Sequence, residues 1–232
     1  MVLGYIFITS IIAGGLILLS LYFVFLDYSS FKREERAIKR VKEWKQFAKW
    51  HGLNFQEWDY QGILGNFDVY SLFQSGYNKH VCNLCFGKKG NMEICTFDYP
   101  YDPDNEHAFA TGLLITSPFI WQSISIYAKD ILGDIFDRNL SEVIRFENIK
   151  FESAEFSKQY YVKCEDKKFA YDIIHPQIME LLLHVKYLNL NIETLHKTVL
   201  FRRIDPIPIS EMDLLLETAI KFIDLIPEYL KK

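Results

Sequence analysis

Four side chains of metal-binding type fall within one short stretch: His80, Cys82, Cys85 and Cys95. Cys-x-x-Cys is half of many zinc sites, which need thiolates converging at about 2.3 Å from the metal. The run HVCNLCF around the first two alternates with the period of a strand, however, and residues three apart on a strand point to opposite faces. Cys82 and Cys85 then diverge. A turn centred between Lys88 and Lys89 of GKKG sets Cys82 opposite Cys95 as a buried neighbour pair. The four are kept as candidate metal ligands beside the plainer reading of buried, hydrophobe-like thiols. Redox use is disfavoured, because no helix start follows the pair to lower a thiol pKa.

Other chemistry finds less footing. Asp102, Asp104 and Glu106 alternate like the first ligands of a calcium loop, but His107 and Leu113 stand where that loop needs Gly and Glu. A solvated acidic turn is the simpler reading. No G-x-S-x-G, H-E-x-x-H, P-loop or G-x-G-x-x-G occurs. His175, His184 and His196 are scattered, and each reads as structural. No catalytic or cofactor-binding residue is assigned and no cofactor is expected; whether the chain is an enzyme stays open, leaning to no.

The busiest stretch is KFESAEFSKQYYVKCED, residues 150–166. Phe151 and Val162 fit core positions of strands, and Phe156 and Tyr160, four apart, meet over one helical turn. Glu152, Glu155, Glu165 and Asp166 fall at turns or helix starts, where carboxylates favour the exposed N–H groups. This is a corner of fold rather than an active site.

The elements that would hold such residues follow from periodicity. Phe31 to Trp50 reads as a helix with Ile38, Val41, Trp44 and Ala48 on one face, stopped near Gly52. LNFQEW, NFDVYSLF, HVCNLCF and MEICTFDY read as strands of a hairpin meander, separated by QGILG, QSGYN and GKKGN. Ala110 to Thr116 is another apolar run, and SPFIWQSISIYAKDILGDIF is ambiguous between strand and helix. The second half reads strand (IKFE), polar turn, strand (YYVKC), two helices with Pro176 opening the second, two short strands in LNLNIETLHKTVLFRR, and a last helix capped by Ser210.

Placement is the clearest message. Val2 to Leu26 carries no charge, long enough to cross about 30 Å of hydrocarbon as a helix. No basic residue precedes it and no small-x-small step follows, as a cleaved signal peptide would need. Residues 27–50 then hold eight basic and four acidic groups, which predicts an outward N-terminus and a cytoplasmic body in the cell membrane. Lys32, Arg33, Arg36, Lys39 and Arg40 are the candidate contacts to a membrane surface. Residues 51–232 keep 18 basic against 26 acidic groups, a poor balance for nucleic acid, which is not expected as a partner. Ser10 and Gly14, four apart, are a weak pattern for homo-oligomerisation through the span. The four cysteines of a cytoplasmic body are expected to be reduced.

FQSGYNKHVCNLCFG, CTFDYPY and FESAEFSKQYYVKCED together resemble an uncharacterised bacterial family of membrane-anchored proteins, with an FDYxY strand and an FxSxxFxxxYxV signature. The chain matches at Phe73, Gly76, Gly87, Phe97, Asp98, Tyr99, Tyr101, Phe151, Ser153, Phe156, Tyr160, Val162 and Pro176. It departs in having cysteines in the first strand and an acidic loop after Tyr101. The resemblance covers residues 60–190 and implies architecture, with no established activity.

The expected fold class is α+β: one N-terminal transmembrane helix, then a cytoplasmic domain of antiparallel β-hairpins and packed helices. The expected divisions are a span at 2–26, a basic juxtamembrane helix at 27–52, a β-rich half at 53–145 and an α+β half at 146–232. The expected function is a single-pass, membrane-anchored module that binds a protein or the membrane surface, its partners the lipid bilayer and a membrane protein. The alternatives are a membrane-associated enzyme or a structural subunit of a membrane complex.

Overall fold

A computed structural model describes residues 34–60, 70–74, 80–100, 109–129 and 149–231, together with Tyr22, Phe25, Phe31, Lys32, Gly62 and Gly65. The chain divides into two units, Met1–Glu43 and Trp44–Lys232, and the sheet described below lies wholly in the second. Residues 34–51 are helical (α1). Within the second unit Trp44, Phe47 and Ala48, at helical spacing, are buried. Gly52 at φ +65° ends the helix, and the Leu53 N–H returns to the Ala48 carbonyl at 2.8 Å. Only glycine enters that left-handed conformation without cost, so the stop read from the sequence has this backbone cause.

The strands are β1 (Asn54–Trp58), β2 (Cys82–Lys89), β3 (Met92–Pro100), β4 (Phe109–Ala128), β5 (Tyr160–Cys164) and β6 (Asn191–Ile204). The helices after α1 are α2 (Ser71–Gln74), α3 (Ala154–Gln159), α4 (Lys167–Ile173), α5 (Pro176–His184) and α6 (Ile209–Asp224). All named strand pairs are antiparallel. β1, β2 and β3 form a meander that joins the first half of β4. β5 pairs with the last five residues of β4, and β6 pairs along both halves of β4.

β4 is a twenty-residue run without a charge, the part that sequence left undecided. Its β-branched residues, Gly112 and Pro118 suit a strand better than a helix. The β4–β6 ribbon turns a corner midway. Between the pairs Thr116↔Thr198 and Ile124↔Thr194, β4 takes eight steps and β6 only four. His196 supplies the bend at φ +51°. Pro118 sits where β4 bulges, so its missing N–H interrupts no ladder bond. Side chains fasten the bulge: Ser117 Oγ accepts from Trp121 Nε1 at 2.8 Å, and Thr194 Oγ1 donates to the Gln122 carbonyl at 2.6 Å. A straight strand advances about 3.3 Å per residue, so nine steps would span about 30 Å. Yet Glu193 Oε1 meets Arg202 Nε at 3.1 Å, with both side chains at most 10 % exposed. β6 is folded sharply toward that face.

The two faces of the sheet carry different cores. One face holds Cys85, Ile94, Leu113, Ile115, Ile124, Ile126, Val162, Val199 and Phe201, packed with buried residues of α1, α3, α4, α5 and α6. The other, inner to the corner, holds Leu84, Cys95, Phe97, Tyr99, Ala110, Leu114 and Leu200 beneath Tyr70, Leu72 and Phe73.

Several expectations need correction. The transmembrane helix of the expected fold class is not part of the described fold: among the described residues no helix is long and apolar enough to cross a membrane. Helix α1 is interrupted by charge from Glu34 to Lys49, and the longest uncharged run described is a strand, β4. Except for Tyr22 and Phe25, residues 2–26 lie outside the described residues, as do Ser10 and Gly14. The fold class is instead a six-stranded antiparallel sheet with helices. The β2–β3 turn is at Gly90 and Asn91, with Gly90 at φ +58°, so Cys95 faces Phe86 and Cys82 faces Asp98. IKFE is not a strand, and the supposed polar turn after it is α3. The two short strands near the end are one bent strand, β6. Helix α6 starts at Ile209 after Pro208, without a side-chain cap from Ser210.

Arg202→Leu strands a buried carboxylate and is expected to cost about 3–5 kcal/mol, most of which the Glu193→Leu/Arg202→Leu double substitution recovers. Urea unfolding read by tryptophan fluorescence separates the two; equal losses would mean that the pair does not hold the corner. A Cβ on Gly112 would lie 2.4 Å from Phe97 Cζ. Gly112→Ala is therefore expected to lower stability by about 1–3 kcal/mol in the same measurement.

Candidate functional site

The described residues that carried the family resemblance are placed as framework, while Gly76 and Tyr101 lie outside the described residues. Asp98, fully buried, accepts from Trp44 Nε1 at 2.7 Å, Asn83 Nδ2 at 2.9 Å and the Thr111 hydroxyl at 3.0 Å. Thr111 in turn accepts the Ile207 N–H at 3.0 Å. One carboxylate thus ties α1, β2 and β4, and through Thr111 the segment that leads into α6. Phe97 and Tyr99, its neighbours, point to the other face and pack with Phe73. Gly87 leaves room for Leu53, whose Cδ2 would be 2.8 Å from an added Cβ. Ser153 caps α3 by accepting the Phe156 N–H. Phe156 stacks on Tyr160 at 5.0 Å, and the Tyr160 hydroxyl donates to the Leu182 carbonyl. Asp166 caps α4 through the N–H groups of Lys168 and Phe169.

The candidate metal ligands do not converge. Cys85 belongs to the core beneath the helices and Cys95 to the core of the inner face, so β2 and β3 send them apart. Cys82 is half-buried, and the His80 ring lies 5.2 Å from that of Trp58. Among the described residues no group of three or more His, Cys, Asp or Glu side chains could hold a metal ion. Burial pushes the thiols of Cys85 and Cys95 up to about 12, with nearby carboxylates adding to the shift. Asp102, Asp104, Glu106 and Arg33 lie outside the described residues. Of the other membrane-surface candidates, Lys32 pairs with Glu35 at 4.0 Å, Lys39 with Glu43 at 3.8 Å, and Arg36 donates to the Lys32 carbonyl; Arg40 is half-buried.

The structure assembles a different set, on the inner face beyond the corner. Tyr127 of β4 and Tyr161 of β5 are direct cross-strand partners, and Ser125 pairs with both Lys163 and Glu193. Alternation along strands then puts Tyr127, Tyr161, Ser125, Lys163 and Glu193 on one face. The Lys129 ammonium lies 4.0 Å from the Tyr161 ring centre, and that of Lys163 5.6 Å from Tyr127. Lys129 Nζ also donates to the Ser157 carbonyl at 2.7 Å. Glu193 in the same row accepts from Arg202 Nε at 3.1 Å. Tyr161 is 37 % exposed, with Lys129 and Lys163 half-buried. At the corner Tyr70 shares a 2.5 Å hydrogen bond with Thr198, and burial raises its hydroxyl to about 12, which that bond only partly offsets. Sequence reasoning placed Tyr161 and Lys163 on a strand and left Tyr127 and Lys129 in a run ambiguous between strand and helix, because their meeting depends on the β4–β5 register.

Two shallow grooves flank α5. One, about 370 Å³, runs past Glu180, Leu181, His184, Lys221 and Leu225; the other, about 430 Å³, past Ser153, Met179, Glu180, Leu183 and His184.

No family model and no curated protein matches the chain. The resemblance drawn from the sequence motifs therefore rests on those residues alone. Among solved structures, the crystal structure of the mycobacterial trehalose monomycolate transport factor A, TtfA, is similar, with a TM-score of 0.58 at 13 % identity. The match covers 80 % of this chain and 93 % of that one. At that identity the likeness is one of fold.

With a pKa of about 12, Cys85 and Cys95 hold on the order of one thiolate in ten thousand at pH 8. Maleimide at that pH is expected to label Cys82 of the native protein well before either, as peptide mass mapping will show; equal rates in native protein would contradict this burial. Because the folded pKa lies above the unfolded 9.0, the buried thiols' contribution to stability is complete below pH 9 and is lost as pH rises toward 12.

Proposed function

We propose that the sheet-and-helix unit is a docking module for another protein, and that the Tyr127–Tyr161–Lys129–Lys163 face is where the partner sits. The observation that carries this is the pairing itself: two tyrosines abreast on adjacent strands, each with a lysine within cation–π distance. Tyrosines give large contact area for few rotatable bonds, and such residues dominate the energetics of interfaces. The other face of the same strands is packed in the core with the helices, and Tyr161 on this one is 37 % exposed.

The fold likeness supports the reading without defining it. TtfA is a trehalose monomycolate transport factor. We carry over from it only the idea of an accessory protein that acts by binding, and neither its glycolipid nor its assembly.

The test is purification of the full chain from its host under mild conditions, beside Tyr161→Ala and Lys163→Gln variants, with quantitative mass spectrometry. At least one protein enriched with the wild type is expected to fall about tenfold or more in both variants, the loss of roughly 1.4 kcal/mol or more that a central contact supplies. Unchanged thermal unfolding of the variants ties the loss to the surface. The same co-purifying set in all three would overturn the assignment of this face.

A further inference from the structure

We propose that Lys89 is an acyl-accepting amine: its Nζ attacks an activated acyl group, carried as a thioester or an acyl phosphate, while His51 takes its proton and Asp213 orients the His51 ring. None of these groups belongs to the docking face.

Three elements bring the site together. His51 stands in the last turn of α1, Lys89 ends β2, and Asp213 lies near the start of α6. His51 Nε2 is 2.6 Å from Asp213 Oδ1, and Lys89 Nζ is 3.5 Å from His51 Nδ1. A carboxylate only accepts and an ammonium only donates, so the two contacts fix the ring: the hydrogen is on Nε2, and the lone pair of Nδ1 faces the lysine. Phe47, one helical turn earlier, packs on the imidazole at 4.4 Å between ring centres. Nucleophile, base and orienting carboxylate thus stand in the order that activates hydroxyl and thiol nucleophiles, here ending on an amine. The longer of the two contacts is of the kind that tightens when a reactant binds.

The neighbouring lysine sharpens the assignment. Lys88 pairs with Glu93 at 3.5 Å, and its side chain is 74 % exposed. Lys89 is half-buried, beside a His51 side chain that is only 21 % exposed. Lys88 therefore has the greater access and Lys89 has the base. A carboxylate is a poor proton acceptor near neutral pH, whereas an imidazole is a good one.

The reaction needs the acyl donor and nothing else. The Lys89 ammonium gives one proton to His51 Nδ1, and the imidazolium, balanced by Asp213, passes it to water. The freed lone pair forms the N–C bond to the acyl carbon. The C–S bond of the thioester or the C–O bond of the acyl phosphate breaks, and the second proton moves through Nδ1 to the departing thiolate or phosphate. The products are an amide on Lys89, a thiol or phosphate, and one proton in solution.

The test treats the full chain separately with acetyl phosphate and with acetyl-coenzyme A. Unreacted lysines are then capped with isotope-labelled acetic anhydride, so that mass spectrometry of peptides gives the rate at each lysine. Lys89 is expected to react severalfold faster than Lys88, whereas access alone predicts the reverse order. His51→Gln is expected to slow Lys89 about tenfold or more and to leave Lys88 unchanged, a modest share of what a positioned base contributes. Asp213→Asn is expected to slow Lys89 severalfold with thermal unfolding unchanged, and it carries the test if His51→Gln unfolds at lower temperature. Selective labelling of Lys89 by one donor alone upholds the proposal and names the donor class. Lys88 reacting as fast as Lys89 or faster with both donors would overturn it, as would a Lys89 rate that neither substitution changes.

Discussion

The bend in β6 brings two residues of one strand, nine apart, into a buried ion pair, and much of the remaining structure follows from it. Because β4 must keep pairing with β6 around that bend, it takes the outer path and gains the bulge at Ser117 to Gln122. The bulge needs its own fasteners, and Ser117, Thr194 and Trp121 supply them. Trp121 then reaches Phe222 of α6, at 6.4 Å between rings, so the helix is positioned partly by the corner. A buried ion pair is not in itself a source of stability, since desolvating two charges offsets most of their attraction. Its consequence here is geometric: the guanidinium and the carboxylate, nine residues apart on one strand, meet because the ribbon is folded to this angle.

A second buried polar group sets the layer above the sheet. The Asp98 carboxylate accepts from α1, β2 and β4, and Thr111 passes the connection to the Ile207 N–H. A carboxylate in an apolar interior must find donors, so it specifies which indole and which amide lie over it. That is a more selective instruction than apolar contact, which would accept α1 in several rotations. The aromatic pair on either side of Asp98 points the other way and builds the inner core with Phe73, so one three-residue strand segment organises both faces.

The parts legible in the sequence were those governed by local physics. Gly52 ended α1 because the left-handed turn favours glycine, Pro176 opened α5 at a position that lacks an N–H partner anyway, and Asp166 capped α4. Within 150–166 the Phe156–Tyr160 contact followed from their four-residue spacing, while the helix that carries it is only six residues long and gives too short a periodicity to read. What stayed hidden was register. A turn placed at Lys88–Lys89 instead of Gly90–Asn91 moves every β2–β3 partner and sets Cys82 opposite Cys95, where the register has Asp98 and Phe86 as their partners. The β4 run was unreadable for a related cause: an uncharged stretch says only that its surroundings are apolar, and whether helix or strand supplies them depends on β3, β5 and β6. The proposed docking face was invisible for the same reason, since Tyr127 and Tyr161 are thirty-four positions apart and meet only through the β4–β5 ladder.

The location of that face also has a physical logic. A strand side chain has two directions to take, and on β4 and β5 one direction is occupied by Ile124, Ile126, Val162 and the helices that cover them. Nearer β1 the opposite side is closed by Tyr70, Leu72 and Phe73, and its residues are apolar accordingly. Past the bend the pattern changes to tyrosine, serine and lysine. The change occurs within single continuous strands, so it does not reflect a different kind of element. Among the described residues, two tyrosines and two lysines meet there, with Tyr127 still buried and Tyr161 37 % exposed, so the aromatic packing of the inner face continues past the bend in amphipathic form.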